Sequence, residues 1–115
     1  MTEIDVVFAG VPVSDFTSAV AWYARLFGRP ADVVAHDNEV LWRASDKAFV
    51  YVLGDRERAG RGTVTLAVSD LDRTVDELEA RGLMGAPIEE VGAAGRKARF
   101  SDADGNVVNF VEVAR

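Results

Sequence analysis

The chain has 115 residues, 49% of them hydrophobic, and a net charge of −6, which indicates one globular domain and excludes a disordered or low-complexity chain. It has no cysteine and one histidine, so disulfides, thiolate chemistry and sites built on two histidines of one chain are excluded. The acidic balance argues against a nucleic-acid partner and favours a neutral or cationic ligand. No apolar run could span a membrane, and Asp5 interrupts any signal peptide, so we expect a cytoplasmic protein without a membrane partner.

The first half of the chain predicts one strand, one helix and three further strands. Pro12 indicates that the first strand ends or lies at a sheet edge, and either Ser14 or Asp15 can cap the helix that follows. Apolar residues at helical spacing give this helix one buried face, and Gly28 ends it. The predicted elements are a strand over 1–13, a helix over 16–27, and strands over 32–35, 39–43 and 48–53.

Residues 54–62 carry three glycines and five charged residues, which predicts a linker. Beyond it the pattern restarts, with Ser69 as the predicted cap of a second helix that ends at Gly82. Asp70 and Asp72 would lie in the first turn, where the helix dipole favours negative charge. The predicted elements are strands over 63–68, 88–91, 97–101 and 107–113, a helix over 70–81, a loop over 92–95 and a turn over 102–106.

The two halves repeat one pattern. Residues 11–16, with the sequence VPVSDF, match residues 66–71, with the sequence LAVSDL, at an offset of 55 residues. Each half then follows the same order of one strand, one helix and three strands. Half of this chain could hardly bury a core alone, so the halves must pack together or pair across a dimer. Chance similarity between two short apolar units is the alternative.

Three stretches carry a family resemblance. They are VSD at 13–15 followed by AWYARLFG at 21–28, VSDLD at 68–72 with LEARG at 78–82, and FSDADGN at 100–106. In this order they resemble motifs of the vicinal oxygen chelate superfamily, which includes glyoxalase I, extradiol dioxygenases, fosfomycin-resistance proteins and bleomycin-resistance proteins. Ala103 stands where the family has proline. The resemblance implies an α+β fold with two tandem βαβββ modules, about 1–53 and 63–115, in one domain over 1–115. Their curled mixed sheet would form a concave cup that holds the ligand.

Metal-dependent members of the superfamily take their ligands from equivalent strand positions of both modules. The resemblance places Phe8, Thr63 and Asn109 at those positions, and matching the turn at 45–47 to the turn at 103–105 adds Tyr51 opposite Asn109. Phenylalanine has no donor atom, threonine and asparagine offer weak neutral oxygens, and tyrosine would have to ionise. We therefore expect no metal and no other cofactor, and with them none of the metal-dependent isomerase or dioxygenase chemistry.

The cup would still keep five candidate ligand contacts. Phe8, Trp42 and Tyr51 alternate with apolar residues on their strands, so we expect their rings to face the cup. Aromatic rings stack on flat molecules and attract cations. Thr63 and Asn109 could orient a ligand by hydrogen bonds. Packing in the core is the alternative for each ring.

Two groups of polar residues have open interpretations. Arg96, Lys97 and Arg99 could contact an anionic ligand or form the exposed face of their strand. His36, in a predicted loop, could act as a general base or be solvated. We assign no catalytic residue from the sequence.

Three functions remain open. The first is a metal-independent binding protein that sequesters a small molecule, such as an aromatic or cationic antibiotic, and forms a homodimer. The second is a glyoxalase- or dioxygenase-like lyase or isomerase with an atypical site, which would show turnover in the presence of chelators. The third is a non-catalytic interaction module whose cup has filled in. The acidic sequence with its aromatic strand residues favours the first.

Overall fold

The computed structural model describes residues 2–113, except for the side chain of Ala94. Met1, which the sequence places in the first strand, and residues 114–115, at the end of the second module, lie outside the described residues. Within them the order of elements is β1 (Val7–Val13), α1 (Phe16–Phe27), β2 (Val33–His36), β3 (Glu39–Ser45), β4 (Ala48–Gly54), β5 (Thr63–Ala67), α2 (Leu71–Ala80), β6 (Glu89–Glu90), β7 (Arg96–Ser101) and β8 (Val107–Glu112). The predicted loop before β7 contains a short 3-10 helix, Gly92–Ala94.

The strands form two four-stranded sheets with the same plan. Their strand orders are β1-β4-β3-β2 and β5-β8-β7-β6. In each sheet the first strand pairs in parallel with the last strand of its module, and the other neighbours pair antiparallel. The parallel pair needs a crossover connection, which the helix provides. The predicted α+β fold of two repeated βαβββ modules is therefore confirmed.

The first strand is shorter than predicted. It begins at Val7, whose N–H donates to the carbonyl oxygen of Lys47 at 2.9 Å. Its partner β4 begins at Ala48, which pairs with Val7. Residues 2–6 therefore precede the paired region and are not in a strand. The prediction is wrong for these residues. The prediction that Pro12 lies at an edge is confirmed, because β1 is the outer strand of its sheet.

Both helices begin at an aspartate. The carboxylate of Asp15 accepts the N–H of Ser18 at 3.2 Å, and that of Asp70 accepts the N–H of Arg73 at 3.1 Å. The two caps are 55 residues apart, as the repeat requires. The predictions of Ser69 as a cap and of Asp70 inside the first turn are wrong by one residue, because Asp70 itself caps α2. Gly28, at φ 75°, ends α1 as predicted.

The helices cover one face of each sheet. Tyr23 and Leu26 of α1 and Leu71 and Leu78 of α2 are buried in the shared core. The two helices lie on the same side of the molecule, because Arg81, just after α2, donates through Nη2 to the carbonyl oxygen of Leu26 at 3.0 Å. We call the opposite, helix-free side of both sheets the open face.

Neither helix of the described chain has the length and apolar character to cross a membrane.

The predicted linker spans the gap between the modules, since β4 ends at Gly54 and β5 begins at Thr63. A hydrogen bond from the N–H of Asp55 to the carbonyl oxygen of Val13, 2.9 Å long, fixes its first turn against β1.

The predicted turn over 102–106 locks the modules together, and we call it the junction hairpin. Asn106 is fully buried. Its Nδ2 donates to the carbonyl oxygen of Pro12 at 2.7 Å and to Asp102 at 2.9 Å, and its Oδ1 accepts the N–H of Gly62 at 2.7 Å. The hydroxyl of Tyr23 donates to Asp102 at 2.8 Å. Burial, together with this carboxylate, raises the pKa of Tyr23. The end of β1 is thereby held beside the start of β5.

Candidate ligand-binding face

The strand registers define the open face. Residues on β1 and β5 that alternate with the buried core residues pair with their counterparts on β4 and β8 across each parallel ladder. The open-face pairs are Phe8 with Phe49, Gly10 with Tyr51, Pro12 with Leu53, Thr63 with Val107, Thr65 with Asn109, and Ala67 with Val111. Phe8 and Thr63 belong to the first open-face pair of their modules, and Tyr51 and Asn109 belong to the second pair.

Module 1 presents an aromatic stack on the open face. Phe8 is 56% exposed, and its ring stacks on Phe49 with a centroid distance of 5.3 Å and an interplanar angle of 15°. The guanidinium carbon of Arg43 lies 5.9 Å from the centroid of Phe49. An exposed aromatic pair beside a cation is a surface on which a flat molecule can stack.

Tyr51 lines a cavity of about 430 Å³ that the linker closes on one side. The ring lies directly over Gly10, so close that a Cβ at this position would overlap it. The linker contributes Asp55, Arg58 and Arg61 to the wall. Arg58 Nε lies 3.8 Å from a carboxylate oxygen of Asp55, at the limit of an ion pair.

A second opening, the inter-module cleft, has a volume of about 460 Å³. Its walls come from the C-terminal end of α1, the β3–β4 hairpin and the last residues of β5. Arg43, Ser45 and Ala48 line it from module 1, and Thr65 and Ala67 from module 2. Arg43, Thr65 and Ala67 are open-face positions, so the cleft extends from the C-terminal end of α1 on the helix side to the open faces of both modules.

Module 2 presents a polar surface. Thr63 is exposed, whereas Asn109 is buried with 8% exposure. Asn109 Nδ2 donates to Thr65 Oγ1 over a long 3.4 Å. Its Oδ1 is buried and has no hydrogen-bond partner among the described residues. A buried amide oxygen without a partner is costly, so it is a feature that needs an explanation.

Trp42 does not belong to this face, and the prediction that its ring faces the cup is wrong. Its neighbour Leu41 pairs with Tyr51, so Trp42 points to the helix side. There it is fully buried and stacks on Phe27 with a centroid distance of 5.4 Å. Its Nε1 donates to the carbonyl oxygen of Arg29 at 2.9 Å.

The other four predicted residues, Phe8, Tyr51, Thr63 and Asn109, share the open face but not one cavity. Of these, Tyr51 lines the cavity at the linker, and Phe8 and Thr63 are exposed. Sequence reasoning missed Phe49 and Thr65, although a spacing of two residues from Tyr51 and Thr63 would have found them. It also missed Arg43, whose position depends on the pairing of β3 with β4.

The four positions do not fit a divalent metal ion. Phe8 has no donor atom and is held in an aromatic stack, and the amide of Asn109 faces a threonine hydroxyl. Residues 2–113 contain no cluster of three or more histidine, aspartate or glutamate side chains suited to a metal. His36 is exposed at the end of β2, not in a loop as predicted, and its Nδ1 accepts the N–H of Asn38 at 3.1 Å.

Solved structures similar to this chain share its fold over nearly its whole length. A glyoxalase/bleomycin resistance protein from Catenulispora acidiphila is 34% identical with a TM-score of 0.89, over 97% of this chain and 100% of that one. A bleomycin-binding protein from Streptomyces verticillus, complexed with copper(II)-bleomycin, is 18% identical with a TM-score of 0.79, over 99% and 100%. A lactoylglutathione lyase from Agrobacterium tumefaciens is 16% identical with a TM-score of 0.72, over 93% and 92%. No family model and no curated protein matches the sequence.

Proposed function

This chain belongs to the glyoxalase/bleomycin resistance protein family, and we propose that it is a metal-independent protein that binds an aromatic small molecule on its open face. The exposed stack of Phe8 on Phe49 carries this proposal. It occupies the strand position where, by the resemblance, metal-dependent members hold a ligand of the ion. An aromatic surface there can hold a guest by stacking but cannot coordinate a metal.

An antibiotic with a flat ring system is the ligand class that we propose. A structural relative is a bleomycin-binding protein seen with its ligand, and the open face of this chain offers the rings and volume that such a guest needs. In this proposal the protein sequesters its ligand and performs no chemistry on it. No residue is assigned a catalytic role.

Metal analysis of the purified protein tests the metal-independent part of the proposal. We expect elemental analysis to find no stoichiometric zinc, iron, manganese or nickel, and titration with each ion to leave the thermal unfolding midpoint unchanged. Ligand binding should persist in the presence of a chelator. A stoichiometric ion whose removal abolishes ligand binding would overturn this part.

We also propose that the protein is a homodimer. Apart from the aromatic stack, module 1 leaves apolar side chains in contact with water, among them Val34 at 71% exposure, together with Ile4, Val7 and Val33. Exposed apolar side chains of this number favour association. Sedimentation velocity over a hundredfold range of concentration should give a mass of twice 12.4 kDa. A monomer mass at every concentration would refute the dimer without affecting the binding proposal.

A further inference from the structure

The open face has a charge balance unlike that of the whole chain. The chain carries a net charge of −6, yet the open-face positions of β3 and β7 hold Arg43, Lys97 and Arg99. Lys97 is neutralised by Glu89 at 3.2 Å. Glu39 lies at the far end of its strand, where its carboxylate is 3.7 Å from His36. Two guanidinium groups, those of Arg43 and Arg99, therefore dominate the middle of this surface.

Arg43 has no carboxylate at ion-pair distance in the described part of the chain. Asp32 lies nearby, but it is engaged by the guanidinium of Arg29 at 3.0 Å and by the backbone N–H of Arg43 at 2.7 Å. The hydrogen bond of the Arg43 guanidinium runs to the carbonyl oxygen of Asp46 and is long, at 3.3 Å. This cation is therefore exposed, beside the aromatic stack, with most of its donors available.

The inter-module cleft gives this cation a concave setting. Arg43 and Thr65 line it from opposite modules. Thr65 Oγ1 accepts from Asn109 Nδ2, so the threonine hydroxyl can donate its own proton to a ligand oxygen. One wall of the cleft thus presents a cation and the other a hydroxyl donor. The two together suit a ligand with an anionic head group that accepts hydrogen bonds.

Building on the proposed function, we infer that the ligand is an aromatic anion whose carboxylate or sulfonate group is bound by Arg43 at the inter-module cleft while its ring stacks on Phe8. A guanidinium group binds such oxyanions by charge-assisted hydrogen bonds and binds no cation. The overall acidity of the sequence favoured a neutral or cationic ligand, but that acidity lies largely elsewhere, for example on α2 with Asp72, Asp76, Glu77 and Glu79.

Three probes that share a naphthalene ring and carry an anionic, a neutral or a cationic head group test this inference. They are naphthoate, naphthamide and naphthylmethylammonium, and isothermal titration calorimetry gives their affinities at about 0.15 M salt, where the Debye length is about 8 Å. We expect naphthoate to bind about tenfold more tightly than the cation, the effect of one charge-assisted contact. In the R43Q variant the affinity for naphthoate should fall about tenfold, and that for naphthamide should stay within about twofold.

The matched control is Arg73→Gln, which removes the same charge from an exposed position of α2 on the other side of the molecule. It should leave the affinity for naphthoate within about twofold, because long-range attraction is screened by salt. Equal losses in the two variants would overturn the inference, as would equal binding of all three probes by the unmodified protein. If all three probes bind equally and Phe8→Ala weakens their binding, the inference about charge fails but the proposed aromatic site stands. Failure of every probe to bind would refute the proposed site itself.

Discussion

The two modules have the same framework, but their open faces differ in chemical character. The caps Asp15 and Asp70 recur at the offset of 55, the later strands recur at an offset of 58, and the two sheets have the same strand order. On the open face, however, Phe8 of module 1 corresponds to Thr63 of module 2, and Tyr51 corresponds to Asn109. Folding therefore constrains the helix side of each sheet, while the other side is free to become aromatic in one module and polar in the other.

The contacts between the modules are unequal as well. The junction hairpin of module 2 inserts Asn106 against the end of β1, where its Nδ2 donates to the carbonyl oxygen of Pro12. Asp102 of the same hairpin accepts the hydroxyl proton of Tyr23 from module 1. The corresponding hairpin of module 1 meets the end of β5 with Ala48 at the equivalent position, and the inter-module cleft remains there. One junction is locked by polar contacts and the other is left open. This difference places an opening for a ligand at one end of a framework that is otherwise repeated.

Removing the lock should have the largest effect. Asn106→Ala deletes the three side-chain hydrogen bonds and leaves the N–H of Gly62 and the carbonyl oxygen of Pro12 without these partners. We expect a loss of about 3–5 kcal/mol in the free energy of unfolding, measured by urea denaturation.

The control for this prediction is Asp46→Ala in the exposed hairpin of module 1, since Asp46 corresponds to Asp104 of the junction hairpin. It should change the stability by less than about 0.5 kcal/mol. Similar losses in the two variants would contradict the distinction between a locked and an open junction.

The sequence predicted the framework because its signals are local. Hydrophobic periodicity, the capping aspartates and the glycine turn each depend on a few neighbouring residues. The repeat makes Ser14 equivalent to Ser69 and Asp15 equivalent to Asp70, so it leaves the same choice of cap in both modules, and the structure shows the aspartate in each. The equivalence of Tyr51 and Asn109 follows from matching the turns at 45–47 and 103–105. It agrees with the two parallel registers, in which these residues occupy the same place.

The sequence could not predict the features that depend on long-range pairing. Trp42 lies in the continuous apolar run Val40–Trp42, all of it buried, so alternation could not show which face its ring takes. Arg43 joins the aromatic stack only through the register of β3 on β4. The hydrogen bond between Asn106 and Pro12 joins residues 94 positions apart. No local pattern records such contacts.

The hydroxyl of Tyr23 gives a second, smaller test of the locked junction. It reaches Asp102, whereas its counterpart Leu78 in α2 makes apolar contacts. Tyr23→Phe should lower the free energy of unfolding by about 1–2 kcal/mol at neutral pH.

This difference should depend on pH in a defined direction. Burial beside Asp102 raises the pKa of Tyr23 in the folded protein, so the folded state keeps its proton where the unfolded chain loses it. The contribution of Tyr23 is therefore complete below about pH 10 and declines above it by about 1.4 kcal/mol per pH unit. In urea titrations at increasing pH, the unmodified protein should approach and then fall below the Phe variant. A constant difference up to about pH 11 would contradict the role of this hydroxyl.

The smallest effect on stability should come from Gly10, which corresponds to Thr65 of module 2. A side chain is tolerated on β5, but at Gly10 it would overlap the ring of Tyr51. Gly10→Ala should therefore displace the ring from the cavity at the linker and change the stability by less than about 1 kcal/mol, because the ring is the free end of a flexible side chain. Tyr51 lies two residues from Phe49 on the same face of β4, so the affinity for naphthamide should fall about threefold when this edge of the aromatic surface moves. Since the effect is transmitted through Tyr51, the same substitution in a Tyr51→Ala background should leave the affinity unchanged. An equal decrease in both backgrounds would show that the methyl group itself blocks the ligand.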